Sequence, residues 1–336
     1  AQYEKCEQLL NSSTSDGILS DDDDYRASLL GWILIRNNKV REAYTLFGSV
    51  FQSSYNKKLG VDRARLMHMG GFCCLRLGQH EKAQQLLRDA EALFRVNEYK
   101  LGASLALTAL GVVEKSMGSL AVAYRHYEDA LELLKENGPL SRKAENLQQM
   151  AIVLIKQGYA SKVFPLLDEA QEIRKGQKLQ LLRIDLIRGR ALLAVGKFDE
   201  AESYFQSSLT SSVENGYIRE QALSLESIGD LALERGNYDY AEQSYNKALE
   251  IGRSIDVDGD IVAGDLRRLG TLALARGDNA EAISALEDSL VVSRKCIERF
   301  EEGLALRELS RAQCSLGGSE AAYRLARESI VVFKSS

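Results

Sequence analysis

Apolar residues recur along the chain at spacings of three and four, the stride that lines up one face of a helix. They come in paired runs, each pair broken by a short polar turn, as in "DLALERGNYDYAEQSYNKALEIG" (230–252) and again in "TLALARGDNAEAISALEDSLVVS" (271–293). Sustained two-residue alternation rich in Val, Ile and Thr is missing, so no strand is predicted. Pro139 and Pro165 are the only prolines in 336 residues. Leu, Ala, Glu, Gln, Lys and Arg favour helix through the remainder. The prediction is an all-α fold.

The turn residue between paired runs falls at Asn38, Gly78, Gly118, Gly158, Gly196, Gly236, Gly277 and Gly317, at intervals of 40, 40, 40, 38, 40, 41 and 40. A fixed period of that size signals a solenoid built of helix pairs. Glycine suits a turn that leaves a helix through the left-handed region. Seven residues before each turn stands a small residue: Gly31, Gly71, Gly111, Ala151, Gly189, Gly229, Gly270 and Ser310. A mid-helix glycine costs roughly 1 kcal/mol against alanine, so its repeated use predicts close approach of a neighbouring helix. On the second run, offsets of five, nine and twelve after the turn carry small, large and small residues, for example Ala241, Tyr245 and Ala248. Separations of four and three put them on one face.

This pattern of small residue, turn glycine, alanine, aromatic or leucine and second alanine resembles the tetratricopeptide repeat, over about Tyr25 to Lys334. The period is near 40 rather than 34, and Tyr55, Arg95, Lys135, Lys175, Val213, Arg253 and Arg294 stand where that family places proline. Longer helices are therefore predicted, as in the extended repeats of some bacterial regulators and of eukaryotic spindle and motor adaptors. The resemblance implies a right-handed superhelical solenoid of about eight antiparallel helix-turn-helix repeats. We expect one superhelix over residues 21–336, preceded in 1–20 by a helix of a partial repeat or an N-terminal cap. The start at "AQYEKCEQLLNSS" and the apolar ending "ESIVVFKSS" suggest an excised piece of a longer protein. The acidic run Asp21–Asp24 is expected to cap the first helix.

Charge and composition narrow the function. Lys and Arg number 43 against 48 Asp and Glu, a net charge of −5, so the basic stripe demanded by phosphate backbones is missing and no direct nucleic-acid binding is expected. Cys6, Cys73, Cys74, Cys296 and Cys314 lack C-x-x-C spacing, which points to reduced, mostly buried thiols in a cytoplasmic protein. No apolar run reaches membrane-spanning length. "DVDGD" puts Asp256, Asp258 and Asp260 at alternate positions of a calcium loop, but Ile261 replaces the glycine and Arg267 the bidentate glutamate. His68, His80 and His126 are not in metal-ligand spacing. Phosphate loops, nucleophile elbows and dinucleotide fingerprints are missing as well. We therefore expect no enzyme, no metal and no cofactor.

In the family that the repeat resembles, the first helix of each pair lines the concave face. Positions ten and six before the turn then give a graded groove: Ser28 and Trp32, His68 and Phe72, Thr108 and Val112, Gln148 and Ile152, Leu186 and Arg190, Glu226 and Asp230, Arg267 and Thr271, Arg307 and Arg311. Trp32 and Phe72 are candidate anchors or, equally, inter-repeat packing. Arg267, Arg307 and Arg311 are candidate carboxylate clamps, while Glu226 and Asp230 are expected to pair with Arg190 or Arg267. Chaperone-binding members place asparagine six before the turn; this chain has none there, and that activity is not carried over. The reading is an interaction module that binds a peptide or helical segment of a protein partner in its groove, as the sensor or effector-coupling part of a larger regulatory or signalling protein. The alternative is self-association into a homodimer through terminal repeats, with Val331, Val332 and Phe333 at the contact.

Overall fold

A computed structural model of the chain describes residues 23–36, 39–53, 60–136 and 138–334. The turn at Asn38, the helix expected within 1–20, Cys6 and the side chains of the acidic run lie outside the described residues. Sixteen α-helices and no strand occur among the described residues. They pair as α1 (Asp23–Arg36) with α2 (Val40–Ser53), α3 (Val61–Arg76) with α4 (His80–Val96), and α5 (Lys100–Ser116) with α6 (Leu120–Leu133). There follow α7 (Leu140–Lys156) with α8 (Phe164–Ile173), α9 (Lys178–Ala194) with α10 (Phe198–Glu214), α11 (Ile218–Glu234) with α12 (Tyr238–Ile255), α13 (Asp260–Arg276) with α14 (Asn279–Cys296), and α15 (Arg299–Ser315) with α16 (Ser319–Lys334). Both prolines sit at helix starts: Pro139 precedes α7, and Pro165 occupies the first turn of α8, where its missing N–H costs nothing. None of the helices is long and apolar enough to cross a membrane, among the described residues.

The helices group into two compact units: Ala1–Val113 with Arg125–Pro139, and Glu114–Tyr124 with Leu140–Ser336. In unit 1, α1 packs on α2 and α3, and α3 on α4. In unit 2 each first helix packs on its own second helix and also on the first helix of the next pair, so that α7, α9, α11, α13 and α15 form one wall.

The seven glycines read as turn residues all have positive φ, from +71° at Gly78 to +85° at Gly118. A second set of left-handed residues joins one pair to the next, and it includes Glu98 and Ile297, with φ of +54° and +57°, where glycine gave no clue.

The small residue seven before the turn proves to be a socket. A Cβ added at Gly189 would lie 2.5 Å from the Phe205 ring, and one added at Gly71 or Gly270 would lie 2.6 Å from Leu87 or Leu286. Gly31, Gly111 and Gly229 are filled in the same way by Phe47, Tyr127 and Tyr245. What offsets the helix cost of glycine is thus a buried side chain from the partner helix, itself almost fully removed from water. Sequence volumes follow the same rule: an aromatic plug occurs only opposite glycine, Leu167 stands at the position opposite Ala151, and Ala326 at that opposite Ser310. The flanking small residues close the interface. Ser289 and Ser329, twelve after their turns, donate hydrogen bonds of 2.8 Å to the carbonyls of Ala263 and Gly303 on the preceding helices.

Candidate functional site

The second helices fill the sockets, and another face of each first helix in unit 2 borders open space. Its residues lie seventeen, thirteen, ten, six and three before the turn, the helical stride continued in both directions, as Arg219, Leu223, Glu226, Asp230 and Leu233 do on α11. Two cavities of about 730 and 790 Å³ open on this wall and share Ile155, Lys156, Arg190, Arg219 and Leu223. Volumes of this size suit a small molecule or part of a peptide.

The first cavity lies among α7, the end of α8, α9 and α11. Six cations border it, Arg142, Lys156, Arg174, Arg183, Arg190 and Arg219, against the acids Glu145 and Glu220. Its apolar lining is aliphatic: Ile152, Ile155, Leu186, Ile187 and Leu223. Gln148 lines it too, with only 8% of its surface exposed, and its Nε2 has no hydrogen-bond acceptor. Arg174 donates to the Ser141 carbonyl at 2.7 Å and to Gln177 Oε1 at 2.9 Å, while its Nε is buried without an acceptor.

The second cavity carries six cations and six acids, most of them already engaged. Glu226 Oε2 accepts from Arg190 at 3.2 Å and lies 3.3 Å from Arg268 Nη2. Arg268 Nε donates to Asp230 at 2.9 Å, and the Tyr245 hydroxyl donates to the same oxygen at 3.0 Å. Arg267 instead donates to Glu301 at 2.7 Å. Burial by itself would raise the Glu301 carboxyl, but the charges of Arg267, Lys156 and Arg268 hold it down at about 2. Asp265, fully buried beneath this network, has both carboxylate oxygens unpartnered; burial, aided by nearby Glu226, pushes it up to about 9.

The end of α5 meets the start of α15 across this cavity. Ser116 Oγ donates to Glu298 at 3.3 Å, Lys156 Nζ stands 3.9 Å from the Phe300 ring centre, and Lys115 donates to Gln149 at 2.8 Å. Burial raises Glu298 to about 7 and, with Lys156 beside it, lowers Lys115 to about 8.

Of the residues singled out from sequence, Gln148, Arg190, Glu226, Asp230 and Arg267 come together on this wall. The expected partner of the acidic pair needs correction: Arg190 does bind Glu226, but Arg268 rather than Arg267 bridges Glu226 and Asp230. Arg307 and Arg311 line neither cavity and pair with Glu308 of their own helix. Trp32, His68 and Phe72 belong to unit 1; Trp32 is 44% exposed, with the Arg36 guanidinium 4.9 Å from its ring centre. A second correction concerns the terminal helix: Val332 is buried and Phe333 fills the space above Gly303, leaving Ile330 and Val331 outward. Lys115, Lys156, Arg219 and Arg268 were missed. Extending the same stride reaches Lys115 and Arg219, three and seventeen before their turns, whereas Lys156 and Arg268 stand one position off it.

The acids of "DVDGD" are engaged by protein groups. Asp256 accepts from the Asp258 amide, Asp258 pairs with Lys295, and Asp260 pairs with Arg219. No group of three or more His, Cys, Asp or Glu suited to a metal occurs among the described residues. Burial pushes the Cys73 and Cys296 thiols up to about 12, the reverse of what a nucleophile needs.

Comparison with known proteins places these features in context. The tetratricopeptide repeat family model matches residues 180–254, within α9 to α12. The HTH-type transcriptional regulator MalT of Serratia proteamaculans is 24% identical over 222 residues, 64% of this chain and 24% of that protein. This chain thus spans about a quarter of the length of that regulator. Among solved structures, NprR in complex with its cognate peptide NprX superposes with a TM-score of 0.74 at 12% identity, covering 99% of this chain and 94% of that one. A Rap protein complexed with competence and sporulation factor gives 0.65 at 14% identity, covering 94% and 99%. These likenesses are likenesses of fold.

Proposed function

Because the chain is a tetratricopeptide-repeat protein whose array resembles those of regulators, we propose that it is a non-catalytic interaction module whose unit 2 wall holds a peptide or helical segment of a partner. The observation that carries this reading is the pair of contiguous cavities, bordered by side chains from five successive first helices, α7 to α15, and by Lys115 at the end of α5, while the second helices contribute little beyond Phe198 and the end of α8. An extended segment laid along such a wall meets a new first helix at each step. NprR was solved with its cognate peptide and the Rap protein with competence and sporulation factor, which supports the same use of the fold here. The relation to the MalT regulator supports a place as the sensing or effector-coupling segment of a larger regulatory protein.

The test is selection of a displayed peptide library on the full chain, followed by binding to Leu223→Lys and Ile155→Lys, which fill the border shared by both cavities. Selected peptides should lose affinity for both variants while far-UV circular dichroism stays unchanged. Peptides that bind the variants as well as the parent would place the site elsewhere. Ile330 and Val331, 51% and 58% exposed on α16, favour a second reading, self-association. A molar mass in light scattering that rises with concentration and falls with Val331→Lys supports it; a constant monomer mass ends it.

A further inference from the structure

We infer that the first cavity takes a peptide segment that carries carboxylates on an aliphatic body; this rests on the proposal that the wall binds a peptide. The chain as a whole is acidic, at −5, yet this cavity gathers six cations against two acids. Several of those cations are consumed by stitching between repeats, as Arg183 is by Glu220, Arg190 by Glu226 and Arg219 by Asp260. At the α7–α8 end the donors exceed the acceptors. Gln148 presents a buried amide nitrogen with no acceptor, and Arg174 meets a carbonyl and an amide oxygen but has no carboxylate within ion-pair distance among the described residues. A buried donor left unmet is unfavourable, and a carboxylate or peptide carbonyl entering the cavity removes that penalty.

The rest of the lining specifies what else the ligand carries. Ile152, Leu186 and Leu223 offer an aliphatic floor, and no aromatic side chain borders the cavity among the described residues. Single-stranded nucleic acid, the other polyanion of suitable width, is held by aromatic platforms on which bases stack. The lining offers no such platform, so its charge is matched by carboxylates on Leu-like or Val-like chain rather than by phosphates on bases. The bridging network next to it, with equal numbers of cations and acids, sets no such preference, which confines the acidic requirement to the α7–α8 end.

The carboxylate has two sources, an acidic side chain or a free C-terminus, and the experiment separates them. Fluorescent six-residue pools on a Leu, Ile, Val and Ala background are compared by anisotropy on the full chain: Asp and Glu with an amidated end, Asn and Gln with a free end, Asn and Gln amidated, and Lys and Arg amidated. An octathymidylate strand serves as the phosphate polyanion. The first or the second pool should bind on the order of tenfold tighter than the neutral amidated pool, and whichever does identifies the source. Gln148→Met and Arg174→Gln, each with unchanged circular dichroism, should remove most of that preference. Neutral or basic pools that bind as tightly overturn the carboxylate requirement while leaving the peptide reading intact. Acidic binding that both variants retain overturns the location. Capture of the thymidylate in preference to every pool overturns the ligand class, and no binding by any pool defeats this inference together with the proposal beneath it.

Discussion

α5 and α11 follow one template, yet their inner faces have little in common. At the positions ten and six before the turn, α5 carries Thr108 and Val112, and the Thr108 hydroxyl donates to the Ser104 carbonyl in its own helix. α11 carries Glu226 and Asp230, which receive arginines from neighbouring helices. Both helices nevertheless keep the same socket, Gly111 for Tyr127 and Gly229 for Tyr245. Stacking is therefore specified on the face that meets the second helix, and the wall face is free to change its chemistry without altering the fold. On α11 that freedom is used to stitch neighbours. The stitch recurs between neighbouring pairs where Arg235 reaches Asp199 and Glu202, and Arg276 reaches Asp239 and Glu242, partners 33 to 37 residues apart.

Substitutions on the two faces break or sharpen that contrast. Glu226→Ala strands Arg190 and Arg268 without their shared carboxylate and should cost about 3–5 kcal/mol, with faster amide exchange in α9, α11 and α13; Thr108→Ala, its counterpart on α5, should cost less than about 1 kcal/mol. Asp265→Asn acts in the opposite sense. The raised carboxyl contributes stability that is complete below its ordinary range and is lost as pH rises through about 9, so the variant should gain on the parent between pH 4 and 9. At pH 8, where the unfolded carboxyl has ionised and the folded one has not, the variant should be the more stable by several kcal/mol in denaturant titration. Glu301→Gln runs the other way in pH: a carboxyl held at about 2 contributes stability above its ordinary value and loses it as pH falls toward 2. The variant should lose about 3 kcal/mol at pH 7 and less than about 1 kcal/mol at pH 2.5. Arg307→Ala with Arg311→Ala removes both cations from the Glu308 carboxylate, which is itself buried, and should cost about 1–3 kcal/mol, less than Glu226→Ala.

The period, the turn glycines and the socket line were legible from sequence because each depends on a residue type with a sharp physical requirement: positive φ at Gly78, or room for a ring at Gly229. The inter-pair turns were not legible, since Glu98 and Ile297 adopt the left-handed region with nothing in their identity to announce it. The wall was read at two of its offsets, which recovered Gln148, Arg190, Glu226, Asp230 and Arg267. Arg219 escaped because it lies seventeen residues before Gly236, beyond both offsets. Neighbouring positions such as Arg267 and Arg268 differ by about 100° around the helix, and both satisfy a charged face, so only the packed helices decide which one reaches Glu226. That Gln148 lacks an acceptor depends on every neighbour at once, and no single stretch of sequence encodes it.

The plug and socket give each hairpin a built-in matching rule. Tyr245 fits because Gly229 is bare, and Ala326 pairs with a position already occupied by the Ser310 side chain. Exchanging one helix of a hairpin between repeats therefore brings a ring against a side chain or leaves a void, whereas exchanging whole hairpins keeps each match intact. The natural seams for recombining this array are the joints at Glu98, Gly176, Gly216 and Ile297, not the glycine turns inside the hairpins.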